Sequence, residues 1–131
     1  RSENATVNLE NITFRKNRAL NSDDCIYSVS KKITYRQIYF FENIFDSDSS
    51  GIYAKKFHNL EIQNLKLISN QVGTTSKARI IYADSNSNIT LKNALIMLNA
   101  IFNGDGIFLD TKGKMRIEDS QINNNILLLI V

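Results

Sequence analysis

The sequence predicts an all-β fold, a parallel β-helix of about five coils, each 26–29 residues long. Three observations lead there. Five eleven-residue segments align without gaps, with starts 26, 27, 29 and 26 residues apart. Within each segment apolar and polar residues alternate with period two, the signature of a strand. The chain of 131 residues has 18 Ile and no Pro, which favours uninterrupted strand pairing.

The segments run from Val7 to Asn17, Ile33 to Asn43, Leu60 to Asn70, Ile89 to Asn99 and Met115 to Asn125. Position one holds Val7, Ile33, Leu60, Ile89 and Met115; position three holds Leu9, Tyr35, Ile62, Leu91 and Ile117. Position six holds Ile12, Ile38, Leu65, Ala94 and, as the exception, Ser120; position eight holds Phe14, Phe40, Leu67, Ile96 and Ile122. The alternation changes phase between positions five and six, so the strand bends there. A third strand follows each of the first four segments after a polar loop: Cys25-Ile26-Tyr27, Gly51-Ile52-Tyr53, Ile80-Ile81-Tyr82 and Gly106-Ile107-Phe108. No coil can bury its inward face alone, whereas coils stacked in parallel at ~4.8 Å can. A right-handed, three-sided solenoid is the expected form. A helical solenoid is the competing fold, and the period of two opposes it.

Two polar columns are as regular as the apolar ones. Position five carries Asn11, Gln37, Asn64, Asn93 and Asp119, while position eleven is Asn17, Asn43, Asn70, Asn99 and Asn125 without exception. Asn tolerates the left-handed backbone of a tight corner, and amides stacked one coil apart can bond to each other as a ladder. Both columns are therefore expected to be structural ladders, with Asn11 and Gln37 pointing inward.

Residues 1–131 read as a single β-helix segment, part of a longer protein or a subunit stacked end to end, because nothing resembles a cap. The apolar run from Ile126 to Val131 would otherwise leave a bare edge. No run reaches the ~18–20 apolar residues of a membrane span, so the segment reads as soluble. The net charge of +3 is too mild to indicate nucleic acid. One cysteine, Cys25, excludes an internal disulfide framework, and its column points to a buried, inert thiol.

The columns resemble those of the pectin-lyase-like right-handed parallel β-helix superfamily, whose corners carry asparagine ladders. Phe14-Arg15-Lys16-Asn17 and Phe40-Phe41-Glu42-Asn43 are similar to the F-x-x-N repeat of polymorphic outer-membrane proteins, and Gly51-Ile52-Tyr53-Ala54 echoes their glycine motif. Later repeats replace the Phe with Leu67, Ile96 and Ile122. The resemblance implies a surface β-helix, and also raises polysaccharide lyases and hydrolases as a rival class.

Catalytic parts are sparse. Asp23-Asp24 matches a paired-acid fragment of polygalacturonases, but their N-T-D, H-G and R-I-K motifs are missing. Asp46, Asp48, Asp84, Asp105 and Asp110 fall mostly in different loops; Asp24 and Asp105 occupy equivalent positions about three coils apart. His58 is the one histidine, which argues against a histidine-based zinc site. No catalytic residue, metal or cofactor is expected. Lys31-Lys32, Lys55-Lys56, Lys112 and Lys114 line one corner, with Lys77 and Arg79 on another loop, a solvated face or a contact for anionic glycans. Tyr27, Tyr53, Tyr82 and Phe108 form an outward aromatic row suited to sugars or a neighbouring chain. The expected function is a structural or adhesive β-helix at the cell surface or outside the cell, assembling into filaments through its strand edges. Its partners are further coils, identical subunits and glycans; a carbohydrate-binding role is the alternative. Of the three N-x-[ST] sequons, Asn4 and Asn88 should reach solvent and carry glycan, while Asn11 should be inaccessible.

Overall fold

The computed structural model describes residues 6–20, 24–46, 49–55, 59–73, 79–83, 88–102, 107–111 and 113–128. Among them every regular element is a strand. The first coil contains β1 (Thr6–Arg15), β2 (Arg18–Ala19) and β3 (Asp24–Val29). The second contains β4 (Lys32–Phe41), β5 (Ile44–Phe45) and β6 (Ser50–Lys55). The third contains β7 (Asn59–Gln63), β8 (Lys66–Ile68), β9 (Gln71–Val72) and β10 (Arg79–Ala83). The fourth contains β11 (Asn88–Lys92), β12 (Leu95–Met97), β13 (Ala100–Phe102) and β14 (Ile107–Thr111). The last contains β15 (Lys114–Glu118), β16 (Gln121–Asn123) and β17 (Ile126–Leu128).

Each strand pairs in parallel with its counterpart in the next coil, giving three sheets of eight, four and five strands. The chain is thus a parallel β-solenoid. The five coils counted from sequence resolve into about three turns with a neighbour on both sides, plus a rung at either end covered on one side only. Val7, Ile33, Leu60, Ile89 and Met115 stand in register, and so do Phe14, Phe40, Leu67, Ile96 and Ile122. Interior members of these columns are buried, whereas at the last coil Ile122 is 52% exposed, as is Ile117 of the position-three column at 43%. Phe40 stacks on Phe14 at 4.8 Å between centroids and meets the edge of Phe45 at 6.0 Å. Tyr35, also buried, donates its hydroxyl to Ser28 Oγ at 2.7 Å, and burial raises its pKa to about 12.

The structure corrects the sequence reading in three places. A two- or three-residue strand follows each position-eleven Asn and adds Ala19, Phe45, Val72 and Ile101 to the wall of the core. Elements this short show no period, so no pattern announces them. Second, the left-handed corners fall at positions five and ten. Position five has φ of 49–57° at Asn11, Gln37, Asn64, Asn93 and Asp119, and position ten has φ of 51–56° at Lys16, Glu42, Ser69, Leu98 and Asn124. The position-eleven asparagines themselves are not left-handed. Position five also faces the other way: Asn11, Asn64, Asn93 and Asp119 are exposed and Gln37 is partly so. A left-handed residue interrupts the pleat and throws its side chain outward, which is why the alternation restarts after it. Asn11 is accordingly accessible, and this column is a corner, not an internal ladder.

Third, β14 is offset by two residues from its expected place, with Ile81 opposite Leu109 and Tyr82 opposite Asp110. A shift of two preserves which side faces in, so alternation alone cannot fix it. Phe108 is therefore out of register with Tyr82. Arg79 pairs with Ile107. Gly51 answers a local need: a Cβ there would sit 2.8 Å from the Ile80 carbonyl.

Phe40→Ala should destabilise the fold by ~3–5 kcal/mol, because in-register neighbours cannot move into the hole. Denaturant unfolding monitored by circular dichroism measures it.

Candidate functional site

The most completely built polar feature is the position-eleven amide row. Asn43, Asn70 and Asn99 are fully buried. Asn70 Nδ2 donates to Asn99 Oδ1 at 3.0 Å and to the Phe40 carbonyl at 2.9 Å. Its Oδ1 accepts from the Asn43 N–H and from Asn43 Nδ2, both at 3.0 Å. An amide offers two donors and two lone pairs, and all four are engaged. Asn43 repeats the pattern with Asn17, Phe14 and Asn70, and Asn99 with Asn70, Leu67 and Asn125. The left-handed residue at position ten aims the following side chain along the axis. In effect the amides replace a stretch of backbone pairing at a corner where strands cannot continue.

The row has a direction. Each interior asparagine donates its backbone N–H and one Nδ2 hydrogen to the Oδ1 of the following coil, gives the other Nδ2 hydrogen to a carbonyl of the preceding coil, and receives on its own Oδ1 from the preceding asparagine. Ser120, the odd residue of its column, does comparable work by accepting from the Ala94 N–H at 2.9 Å and donating to the Glu118 carbonyl at 2.7 Å.

On the outer face, Tyr27, Tyr53 and Tyr82 stand in register. Tyr27 meets Tyr53 edge-on at 5.2 Å, and Tyr53 stacks on Tyr82 at 5.0 Å. The Arg79 guanidinium lies 4.6 Å over Tyr82. Tyr53 and Tyr82 thus spend ring surface on their neighbours, while Tyr27 remains 54% exposed. Asp110, by backbone register, takes the fourth place assigned from sequence to Phe108.

The outer charges pair between neighbouring columns. Lys92 Nζ lies 3.8 Å from Glu118, the next member of its own column, and 3.4 Å from Glu61, which stands in the adjacent column one coil earlier. Gln63 Nε2 donates to Glu61 at 2.7 Å, and this bond, with Lys92 behind it, holds the carboxyl below its ordinary pKa. Lys31, Lys32 and Lys114 are exposed, Lys55 is partly so, and Lys56, Lys77 and Lys112 lie outside the described residues. Of the acids, Asp24 pairs in register with Ser50 and thence Arg79, and Asp46 approaches Arg18 at 3.9 Å. Asp23, Asp48, Asp84, Asp105 and His58 lie outside the described residues, as does Asn4. Among the described residues no three His, Cys, Asp or Glu side chains gather as a metal site. Among the described residues no helix is long and apolar enough to cross a membrane.

An open groove of about 370 Å³, lined by Thr13, Arg15, Phe41, Glu42, Ile68 and Ser69, was not foreseen. Its signal was present in Phe41, an apolar residue at an outward parity beside inward Phe40. Exposed Asn88 opens β11. No protein-family model, curated protein or solved structure matches the chain.

Two outcomes are expected here. Asn70→Ala should cost at least ~2 kcal/mol, because the Asn43 N–H, Asn99 Oδ1 and Phe40 carbonyl all lose a buried partner. Asn70→Asp should be worse at pH 7 than at pH 4, since a carboxylate cannot donate; equilibrium unfolding at both pH values distinguishes them. Cys25 is half-buried, and burial together with Asp24 pushes its thiol up to about 11. At pH 8 only roughly a thousandth would be thiolate, so iodoacetamide labelling in the native state should run on the order of 100-fold slower than for a free cysteine.

Proposed function

We propose that the chain is a non-catalytic structural or adhesive β-solenoid of a cell-surface or extracellular protein, extended by parallel strand addition at its ends. One observation carries the proposal: the columns that are sealed in interior coils lie open at both ends. At the first coil Val7, Leu9, Ile12 and Phe14 are only partly buried. At the last, Ile117, Ile122 and Ile126 are 43%, 52% and 55% exposed. A strand edge backed by apolar side chains is a template for another strand of the same kind. The resemblance to surface β-helices of the pectin-lyase-like type and the exposed sequon at Asn88 support an extracellular setting. With Asn11 accessible as well, a glycan there is compatible with the fold.

Sedimentation velocity over a concentration series tests the assembly. The 131-residue chain should form growing species, and Ile117→Lys with Ile122→Lys should hold it monomeric with an unchanged circular dichroism spectrum. A wild-type chain that stays monomeric at every concentration overturns assembly through the ends.

A further inference from the structure

We infer that the outer face of the second to fourth coils is a docking site for an amphipathic helix with acidic flanks. In the first half of the long sheet the outward residues are polar, as at Glu10, Arg36, Glu61, Lys92 and Arg116. In the second half they turn apolar on the interior coils: Tyr39 and Phe41 on β4, Ile68 on β8, Leu95 and Met97 on β12, with Leu98 at the corner that follows. Phe40, Leu67 and Ile96 fill the core, so alternation turns their strand neighbours outward. Thr13 and Arg15 bound this stripe in the coil before, and Gln121 and Asn123 in the coil after. The stripe lies on coils with a neighbour on both sides, so its exposure is not an end effect. Leu98 is the plainest member. It is 52% exposed at a φ of 56°, where a leucine gains little burial and bears the strain of a left-handed backbone. Folding does not call for an aliphatic side chain there, since the same corner accepts Lys16, Glu42, Ser69 and Asn124. A bounded apolar patch with a polar rim marks a contact surface.

Shape and charge select the occupant. Phe41 and Ile68 line the open groove of about 370 Å³, a hollow that a few side chains can enter and a flat bilayer cannot. Coils repeat at ~4.8 Å and the turns of a helix at ~5.4 Å, so a helix lying along the solenoid axis sets one apolar residue on each coil. The rim is basic. Arg15 and Lys16 share one carboxylate, Glu42, at 3.4 and 3.7 Å. Arg15 bonds it through Nε, and among the described residues its two Nη groups have no hydrogen-bond partner. Lys66, exposed beside Ile68, lies 5.2 Å over the Tyr39 ring. Arg15, Lys16 and Lys66 thus stand against Glu42 alone, a surplus that favours acidic residues on the flank of the partner. A second copy of the chain laid face to face would bring the same cations to the joint and be repelled.

Binding of a synthetic peptide tests the site. The probe is a dye-labelled amphipathic helix of about 18 residues, with leucine along one face and glutamate on its flanks; one control carries lysine for glutamate and another scrambles the order. In fluorescence anisotropy the acidic helix should bind saturably, and both controls should bind roughly tenfold or more weakly. Ile68→Glu and Met97→Glu should each weaken the acidic helix by roughly tenfold or more, with an unchanged circular dichroism spectrum because both side chains lie outside the core. Arg15→Glu with Lys66→Glu should reverse the preference toward the lysine helix, a result that a loss of folding cannot mimic. No saturable binding of the acidic helix below about 1 mM overturns the site, as does binding that ignores the substitutions or the charge of the peptide. Phosphatidylcholine–phosphatidylserine vesicles that bind where the helix does not assign the face to a lipid surface. Wild-type self-association that Ile68→Glu abolishes assigns it to a second copy, and either result overturns the helix. Assembly through the ends stands or falls separately, on the sedimentation of the Ile117→Lys and Ile122→Lys chain.

Discussion

Parallel stacking in register is the constraint on which the whole molecule depends. Every residue in an interior coil sits ~4.8 Å from its counterparts above and below, so a column must be chemically compatible with itself. Aliphatic side chains meet this condition, and so do aromatic rings, as Phe14 on Phe40 and Tyr53 on Tyr82 show. The primary amide meets it best, being donor on one side and acceptor on the other. A lone charge does not, and the column of Lys92 sets it between Gln63 and Glu118 with no like charge beside it. The order of preference is visible in the composition: 18 Ile and 17 Asn in 131 residues.

Self-compatibility also explains how much the sequence could disclose. The inward columns at positions one, three, six and eight are legible because burial repeats the same demand in every coil. The invariant Asn at position eleven is legible because no other side chain closes its hydrogen bonds by repetition. Position ten is opaque for the converse reason. Its left-handed backbone is imposed by the amide that follows, so Lys16, Glu42, Ser69, Leu98 and Asn124 share φ without sharing chemistry. Isolated left-handed residues cost ~1–3 kcal/mol, and only an over-determined corner can hold Leu98 there. The strand from Ile107 to Thr111 shows another limit, since two registers two residues apart keep the same parity. Asn11 shows a third: polar and regular at the corner, it gives no hint from its type alone of which way it points.

The same constraint bears on function. A catalytic centre needs unlike groups brought together, whereas register stacking multiplies like ones. Chemistry on such a scaffold must arise where columns break. Among the described residues the breaks are few, and each has a structural use. Ser120 replaces an aliphatic residue and terminates the Ala94 N–H. The column Asp24, Ser50, Arg79 changes identity at each rung, but its arginine lies across Tyr82. What repeats faithfully is the apparatus for adding one more coil. A chain whose most exact feature is a directional row of amides repeats, coil after coil, the hydrogen bonds that hold one coil on the next, and that is the physical basis for the proposed reading as a structural element.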